Sequence, residues 1–131
     1  MQPGQPGAAI PTIDVAEADR RRREGSPAPL VVDVREPNEF AAVRLDDVVL
    51  LPMSSFAERF GELPKDRPLL VMCAAGSRSA AATAHLLRNG YTDVVNVAGG
   101  ITEWQKAGLP VRNGPVEPGE GERRGQPGGE A

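Results

Sequence analysis

The sequence contains few cysteine, histidine and aromatic residues, which are frequent in binding and catalytic sites. Its 131 residues include one cysteine and one histidine, and its aromatic residues are three Phe, one Tyr and one Trp. A single cysteine cannot form an internal disulfide, and one cysteine with one histidine cannot make a Cys/His zinc site. The thiol of Cys73 is therefore left with two uses, which are packing and chemistry.

The chain also lacks an excess of positive charge and a long apolar run. It has 15 Lys and Arg against 18 Asp and Glu, which gives a net charge of −3, and it offers few rings for stacking on bases, so nucleic-acid binding is not expected. No apolar stretch approaches the roughly 20 residues of a membrane helix, and residues 1–7 have neither a basic region nor an apolar signal core. We therefore expect a cytoplasmic protein that does not enter a membrane.

Composition divides the chain into three parts. Residues 1–9 consist of Gly, Pro, Gln and Ala after the first Met, and residues 113–131 are mostly Gly, Pro, Glu and Arg. Such segments have too little apolar surface to order themselves, so both are predicted to be disordered tails. Because 40% of the whole chain is apolar, residues 10–112 are long enough to form one domain with its own core.

Within residues 10–112, short apolar runs alternate with segments of helical pattern. Four runs predict strands, at 30–34, 48–51, 69–72 and 94–97. Five segments predict helices, at 14–23, from Pro37, from a cap at Ser54, at 79–89 and at 101–107. The alternation predicts an α/β domain whose mainly parallel sheet is covered on both faces, with sites at the carboxyl ends of the strands.

Cys73 lies at such an end, where the third strand gives way to a helix. The turn after it carries Gly76 and Arg78, so backbone N–H groups, a helix N-terminus and a guanidinium can all favour the thiolate. A purely structural turn has no need of a cation beside the thiol, which favours a nucleophile over a packing residue. His85 is seven residues beyond Arg78 on the same helix, so we expect it to be an exposed histidine outside the site.

Three stretches together resemble a known family. The sequence Cys-Ala-Ala-Gly-Ser-Arg-Ser at 73–79 is similar to the Cys-x-x-Gly-x-Arg-Ser active-site loop of single-domain rhodaneses. Asp-Val-Arg-Glu-Pro-Asn-Glu-Phe at 33–40 resembles the Asp-Val-Arg-x-x-x-Glu-Phe/Tyr segment of the family, and Gly99 to Trp104 resembles its Gly-Gly-x-x-x-Trp ending. The resemblance covers residues 10–112, with the three motifs in the family's order.

The resemblance implies a rhodanese-like, three-layer α/β domain with a central, mainly parallel sheet of about five strands flanked by helices on both faces. It implies a sulfurtransferase of the thiosulfate type, in which Cys73 carries a persulfide between a small sulfur-containing anion and a thiophilic acceptor such as cyanide or a thiol. The substrate-binding residues would be those of the loop, namely Ala74, Ala75, Gly76, Ser77, Arg78 and Ser79. Asp33 and Arg35 would support this loop together with Glu39, and neither a metal nor a cofactor is implied.

Two other functions are compatible with parts of the sequence. Cysteine phosphatases and arsenate reductases also hold a thiolate and an arginine around an anion, but they place five residues between Cys and Arg, whereas four separate Cys73 from Arg78. The second alternative is a persulfide-relay or partner-binding module that serves a sulfur-relay protein. One segment also departs from the rhodanese pattern: where the family has Ala-Gly-His-Ile-Pro-Gly-Ala, residues 42–48 read Ala-Val-Arg-Leu-Asp-Asp-Val.

Overall fold

The computed structural model describes residues 10–122, which form five strands and five helices in alternation. In chain order they are β1 (Thr12–Ile13), α1 (Val15–Glu24), β2 (Leu30–Asp33), α2 (Pro37–Ala42), β3 (Val48–Leu50), α3 (Met53–Arg59), β4 (Leu69–Met72), α4 (Ser77–Arg88), β5 (Val94–Val97) and α5 (Gly100–Lys106). A 3₁₀ turn, Phe60–Glu62, follows α3. The strands make one parallel sheet in the order β1-β5-β4-β2-β3, which confirms the predicted fold class.

The sheet is buried on both faces because its strands carry apolar residues at successive positions. In β2, Val32 faces a core that includes Phe56 of α3 and Leu86 of α4, whereas Val31 faces a second core that includes Trp104 of α5. Every residue of β2 and β4 is buried, as expected for central strands covered by helices on either side. The result is a three-layer domain with α3 and α4 on one face and α1, α2 and α5 on the other.

Most predicted helix boundaries agree with the structure, and two do not. Asp14 caps α1 by accepting a hydrogen bond from the amide of Glu17 at 2.9 Å. The predicted cap at Ser54 is wrong, because α3 begins at Met53 and its N-cap residue is Pro52. Helix α4 begins at Ser77, two residues before the predicted start, because Gly76 occupies its N-cap position with a left-handed φ of 112°.

The predicted disordered tail from residue 113 does not hold for residues 113–122. Here the chain returns along the outer edge of the sheet, where the amide of Leu50 in β3 donates to the carbonyl of Gly121 at 2.8 Å. The side chain of Glu120 forms an ion pair with Arg44 at 2.8 Å. Polar pairing therefore orders a segment that has almost no apolar residues. Residues 1–9 and 123–131, the remainder of the predicted tails, lie outside the described residues.

Candidate active site

The only cysteine of the chain lies at the carboxyl end of a central strand, on the turn that leads into α4. Cys73 directly follows β4, and Ala74, Ala75 and Gly76 form the turn before α4 begins. The residue is 1% exposed, whereas Ala75 and Ser77 on the rim of the turn are exposed. The thiol therefore sits at the base of a short loop, beside the N-terminus of a helix.

Three hydrogen-bonding groups, two amides and one hydroxyl, converge on the sulfur of this cysteine. The amides of Gly76 and Ser79 donate to Cys73 Sγ at 3.1 and 3.3 Å, and the Ser79 hydroxyl lies 3.3 Å from it. Burial by itself raises the pKa of the thiol, but the hydrogen bonds from Ser79, Gly76 and Ala75 outweigh it and bring the pKa below its ordinary value. The geometry thus favours the thiolate, which is the nucleophilic form of cysteine.

The first turn of α5 holds the backbone of this loop from the side. The amides of Ile101 and Thr102 donate to the carbonyls of Cys73 and Ala74 at 2.9 and 3.0 Å. Gly100 makes this close approach possible, because a Cβ at this position would overlap the carbonyl of Cys73 and stand 2.8 Å from that of Ala74. The Gly-Gly turn therefore serves turn geometry and packing.

Arg78 lies in the loop as predicted, but its guanidinium is paired with a carboxylate. Its Nη1 and Nη2 groups donate to the two carboxylate oxygens of Glu39 at 2.7 and 2.9 Å. These hydrogen bonds lower the pKa of Glu39 to about 2, and they raise the pKa of Arg78, which the charge of Cys73 raises further. Both Nη groups of the fork expected to bind an anion are therefore engaged within the protein.

The predicted supporting residues form a buried ion pair behind the loop. Arg35 and Asp33 are 2% and 1% exposed, and Arg35 Nη2 lies 2.8 Å from Asp33 Oδ2. Arg35 also donates to the backbone carbonyls of Glu39 and Val43 at 3.2 and 2.7 Å. The expected link to Glu39 is present, but it runs through the backbone of Glu39 and leaves the carboxylate for Arg78.

A glutamate that the sequence reading did not single out joins two helix starts near the same end of the sheet. Glu36 is the N-cap residue of α2. Its carboxylate accepts hydrogen bonds from the amide and the hydroxyl of Ser54 at 3.1 and 2.7 Å. The serine that the sequence suggested as a cap of α3 therefore anchors α2 instead. The Glu-Pro pair at 36–37 was the signal from which Glu36 could have been predicted as the N-cap residue of α2.

His85 lies away from this arrangement, but the expectation that it is exposed is wrong. Its ring packs edge-on against Phe60 and Phe56, with centroid distances of 4.6 and 5.8 Å, and its Nε2 atom is buried without a hydrogen-bond partner. Since α3 and the 3₁₀ turn cross the face of α4, this face is covered rather than solvated. The histidine contributes to packing between helices.

Within residues 10–122, no group of three or more His, Cys, Asp or Glu side chains is placed to bind a metal ion. None of the helices described there has the length and apolar character to cross a lipid bilayer. The chemistry available at Cys73 in this part of the chain is therefore that of an activated thiol surrounded by amide groups and a paired arginine.

Comparison with known proteins identifies relatives of this domain. Residues 14–107 match the model of the rhodanese-like domain. The chain is 43% identical over 82 residues to a sulfurtransferase of Allochromatium vinosum, an overlap of 63% of this chain and 77% of that protein. It is 36% identical over 93 residues to the thiosulfate sulfurtransferase GlpE of Pseudomonas syringae, covering 71% and 85% of the two chains.

A solved structure shows the same fold. The rhodanese-related protein of Thermoplasma volcanium superposes with a TM-score of 0.70 at 35% identity, covering 79% of this chain and 98% of that one. The family model covers residues 14–107, which include the cysteine at the carboxyl end of β4. The chain belongs to the rhodanese-like domain family.

Proposed function

We propose that this protein is a sulfurtransferase that moves a sulfane sulfur from thiosulfate or a related donor to cyanide or a thiol acceptor through a persulfide on Cys73. The observation that carries the proposal is the convergence of three hydrogen-bonding groups on the buried Cys73 sulfur. A thiolate held in this way is a nucleophile before any substrate arrives, so no partner base is required.

The two steps balance without an external oxidant or reductant. In the first, the Cys73 thiolate attacks the outer sulfur of thiosulfate, a new S–S bond forms, and the donor's own S–S bond breaks so that sulfite leaves with the electron pair. In the second, cyanide attacks the outer sulfur of the persulfide, a C–S bond forms, and the pair returns to Cys73 as thiocyanate departs. One cysteine suffices because the acceptor comes from outside the chain.

The loop supplies the electrostatic complement to these anions. The persulfide anion replaces a thiolate at a place where the amides of Gly76 and Ser79 already point, and the N-terminus of α4 adds a positive field. Arg78 contributes its charge while Glu39 holds its two Nη groups. Because the Glu39 carboxylate offsets the charge of Arg78, an anionic donor would meet a fixed ion pair at the loop, whose guanidinium is held in place, rather than an unpaired cation.

The rim of the Cys73 loop carries few groups that could select one sulfur donor over another. Ala74 and Ala75 on the rim carry no charge, so the sequence offers no further cation there to select thiosulfate over other sulfane-sulfur donors. The name of the Pseudomonas relative, thiosulfate sulfurtransferase, supports thiosulfate as the first donor to test. Service to a sulfur-relay protein and a cytoplasmic location stay predictions.

Intact-mass spectrometry tests the function directly, because the chain has a single thiol. Incubation with thiosulfate should add one sulfur atom, and later addition of cyanide should remove it and release thiocyanate. Cys73→Ala should show neither change. A wild-type mass that never changes with thiosulfate, mercaptopyruvate or a persulfide donor would contradict the proposal, and so would turnover of an aryl phosphate that Cys73→Ser abolishes.

A further inference from the structure

The residue at which the sequence departs from the rhodanese pattern is the most completely enclosed charge among the described residues. Arg44 stands where the pattern has a histidine, in the short connection between α2 and β3, and it is 0% exposed. A buried guanidinium is costly unless all of its N–H groups are paired. The departure therefore marks a built feature of this chain, which the proposed reaction does not use.

Each of the five N–H groups of Arg44 has an acceptor. Nε and Nη2 donate to the two carboxylate oxygens of Glu120, each at 2.8 Å. The other donors reach the backbone carbonyls of Ala41, Gly114 and Pro115 at 3.3, 3.0 and 3.1 Å. We call the Arg44–Glu120 pair the clasp, and residues 113–122, which it fastens to the domain, the strap.

The strap is attached at both of its ends. Before it, Arg44 and Arg112 exchange two backbone hydrogen bonds, at 2.9 and 2.7 Å. At its far end the carbonyl of Gly121 accepts from the amide of Leu50 in β3 at 2.8 Å. Between these points the Glu120 carboxylate also accepts from the amide of Glu117 at 2.9 Å. The clasp therefore lies between the backbone bonds at Arg112 and at Gly121, and it is one of several contacts that hold the strap.

The clasp is connected to the Cys73 loop through α2. Arg44 Nη1 bonds the carbonyl of Ala41 in the last turn of this helix, and the preceding residue, Val43, accepts from Arg35 of the buried ion pair at 2.7 Å. The same helix carries Glu39, whose carboxylate holds Arg78. A helix of six residues cannot hold its own position, so the place of Glu39 depends on Phe40 in the core, on the bond from Arg35 to the Glu39 carbonyl and on the contacts at the C-terminal end of the helix.

We propose that Arg44 and Glu120 are positioning residues for the Cys73 loop: the clasp fixes the C-terminal end of α2, and α2 in turn holds Glu39 against Arg78. The inference rests on the proposed sulfurtransferase function only for its kinetic consequence. Its physical basis is that loss of Glu120 leaves the buried guanidinium without its counter-charge. Arg44 must then move toward water, and the carbonyl of Ala41 loses its partner.

The kinetic test compares Glu120→Gln with Glu122→Gln, a neighbouring exposed glutamate of the strap. We expect kcat/KM for thiosulfate to fall about threefold to tenfold in Glu120→Gln and to remain at the wild-type value in Glu122→Gln. If the clasp acts through Arg78, Glu120→Gln should cause no further loss in an Arg78→Ala background. Wild-type kcat/KM in Glu120→Gln, or a loss that multiplies with that of Arg78→Ala, would overturn the inference.

Hydrogen exchange gives a readout that does not depend on catalysis. In Glu120→Gln the amides of Gly76 and Ser79, which bond the Cys73 sulfur, should exchange several times faster than in Glu122→Gln. Arg44→Lys, which keeps the charge but has three N–H groups to offer, should give an intermediate increase. If exchange rises in α2 but not at these two loop amides, the clasp is only a local fixture and the inference fails.

The two measurements separate the two proposals. Coupling in hydrogen exchange, together with no persulfide in the wild-type protein, would leave the clasp in place and refute the sulfurtransferase. A persulfide that forms normally, with no coupling between Glu120 and the loop, would refute the clasp alone. Thermal unfolding of each variant shows that it is folded at the assay temperature, so a loss of kcat/KM can be assigned to the folded protein.

Discussion

Removing the Ser79 hydroxyl should make Cys73 a weaker acid. This hydroxyl lies 3.3 Å from Cys73 Sγ and also donates to the carbonyl of Gly76 at 3.2 Å. When Cys73 is a thiol, the Ser79 hydroxyl can donate to the Gly76 carbonyl; when it is a thiolate, the hydroxyl can turn and donate to the sulfur. In Ser79→Ala the thiolate loses one donor and keeps the two amides, so the pKa of Cys73 should rise.

The size of the effect follows from the strength of one hydrogen bond to a charged group. Such a bond is worth about 1.5–3 kcal/mol, and because the hydroxyl leaves another acceptor to reach the sulfur, the lower end applies. Since one pKa unit corresponds to about 1.4 kcal/mol, the pKa of Cys73 should rise by about one unit. At a pH well below both pKa values the thiolate fraction then falls about tenfold, but the more basic thiolate is about threefold more nucleophilic, so alkylation in that pH range should slow by about threefold to fourfold.

The assay is the rate of Cys73 alkylation by iodoacetamide as a function of pH, followed by intact mass. Ser55→Ala is the matched control, because this hydroxyl bonds the carbonyl of Pro52 on a different helix, and its profile should match the wild type. Well above both pKa values, Ser79→Ala should react at least as fast as the wild-type protein. A Ser79→Ala profile that superimposes on the wild-type profile would refute the reasoning that the hydroxyl stabilises the thiolate.

Three further predictions concern the loop and its supports. Arg78→Ala should weaken the use of thiosulfate more than that of a persulfide donor, as measured by kcat/KM, and equal losses would mean that Arg78 shapes the loop rather than attracts the anion. Gly100→Ala should cost at least about 2 kcal/mol of unfolding free energy in urea, whereas Gly61→Ala, where a Cβ meets nothing within 4 Å, should change it by less than about 1 kcal/mol. The pKa of Glu39 is held at about 2 in the folded protein, against about 4.3 in the unfolded chain. The ionised carboxylate therefore stabilises the fold, and this contribution is complete above a pH of about 4.3. The Tm advantage of wild type over Glu39→Gln should therefore be full at neutral pH and disappear as the pH falls to about 2; an advantage that persists unchanged would contradict the role of the ion pair.

The central strands and the Cys73 loop were predictable because their determinants are local. Strand β4 is an unbroken apolar run, and the turn after it carries its own signal in Gly76, as does the start of α1 in Asp14. Strand β1 could not be read in this way, because its two residues pair with β5 far along the chain. Only the family resemblance supplied a count of about five strands.

Three of the remaining errors share one cause, which is a partner distant in sequence. Ser54 has a hydroxyl that could cap a helix, but this hydroxyl donates to the carboxylate of Glu36, which lies 18 positions away in the sequence. His85 was expected to be exposed because it lies outside the apolar stripe of its own helix, yet the phenyl rings of α3 and the 3₁₀ turn cover it. Composition alone assigns residues 113–122 to a solvated tail, because its order comes from charge pairing with Arg44 and not from apolar burial.

The strap extends the folded unit beyond the residues that match the family model. The family match stops at residue 107, and a chain trimmed there would leave Arg44 as a buried cation without its counter-charge. It would also uncover the amide of Leu50 on an edge strand, where a second chain could add a strand of its own. A boundary placed at the end of the family match would therefore leave the edge of β3 open to pairing, and the described part of the domain reaches at least to Gly121.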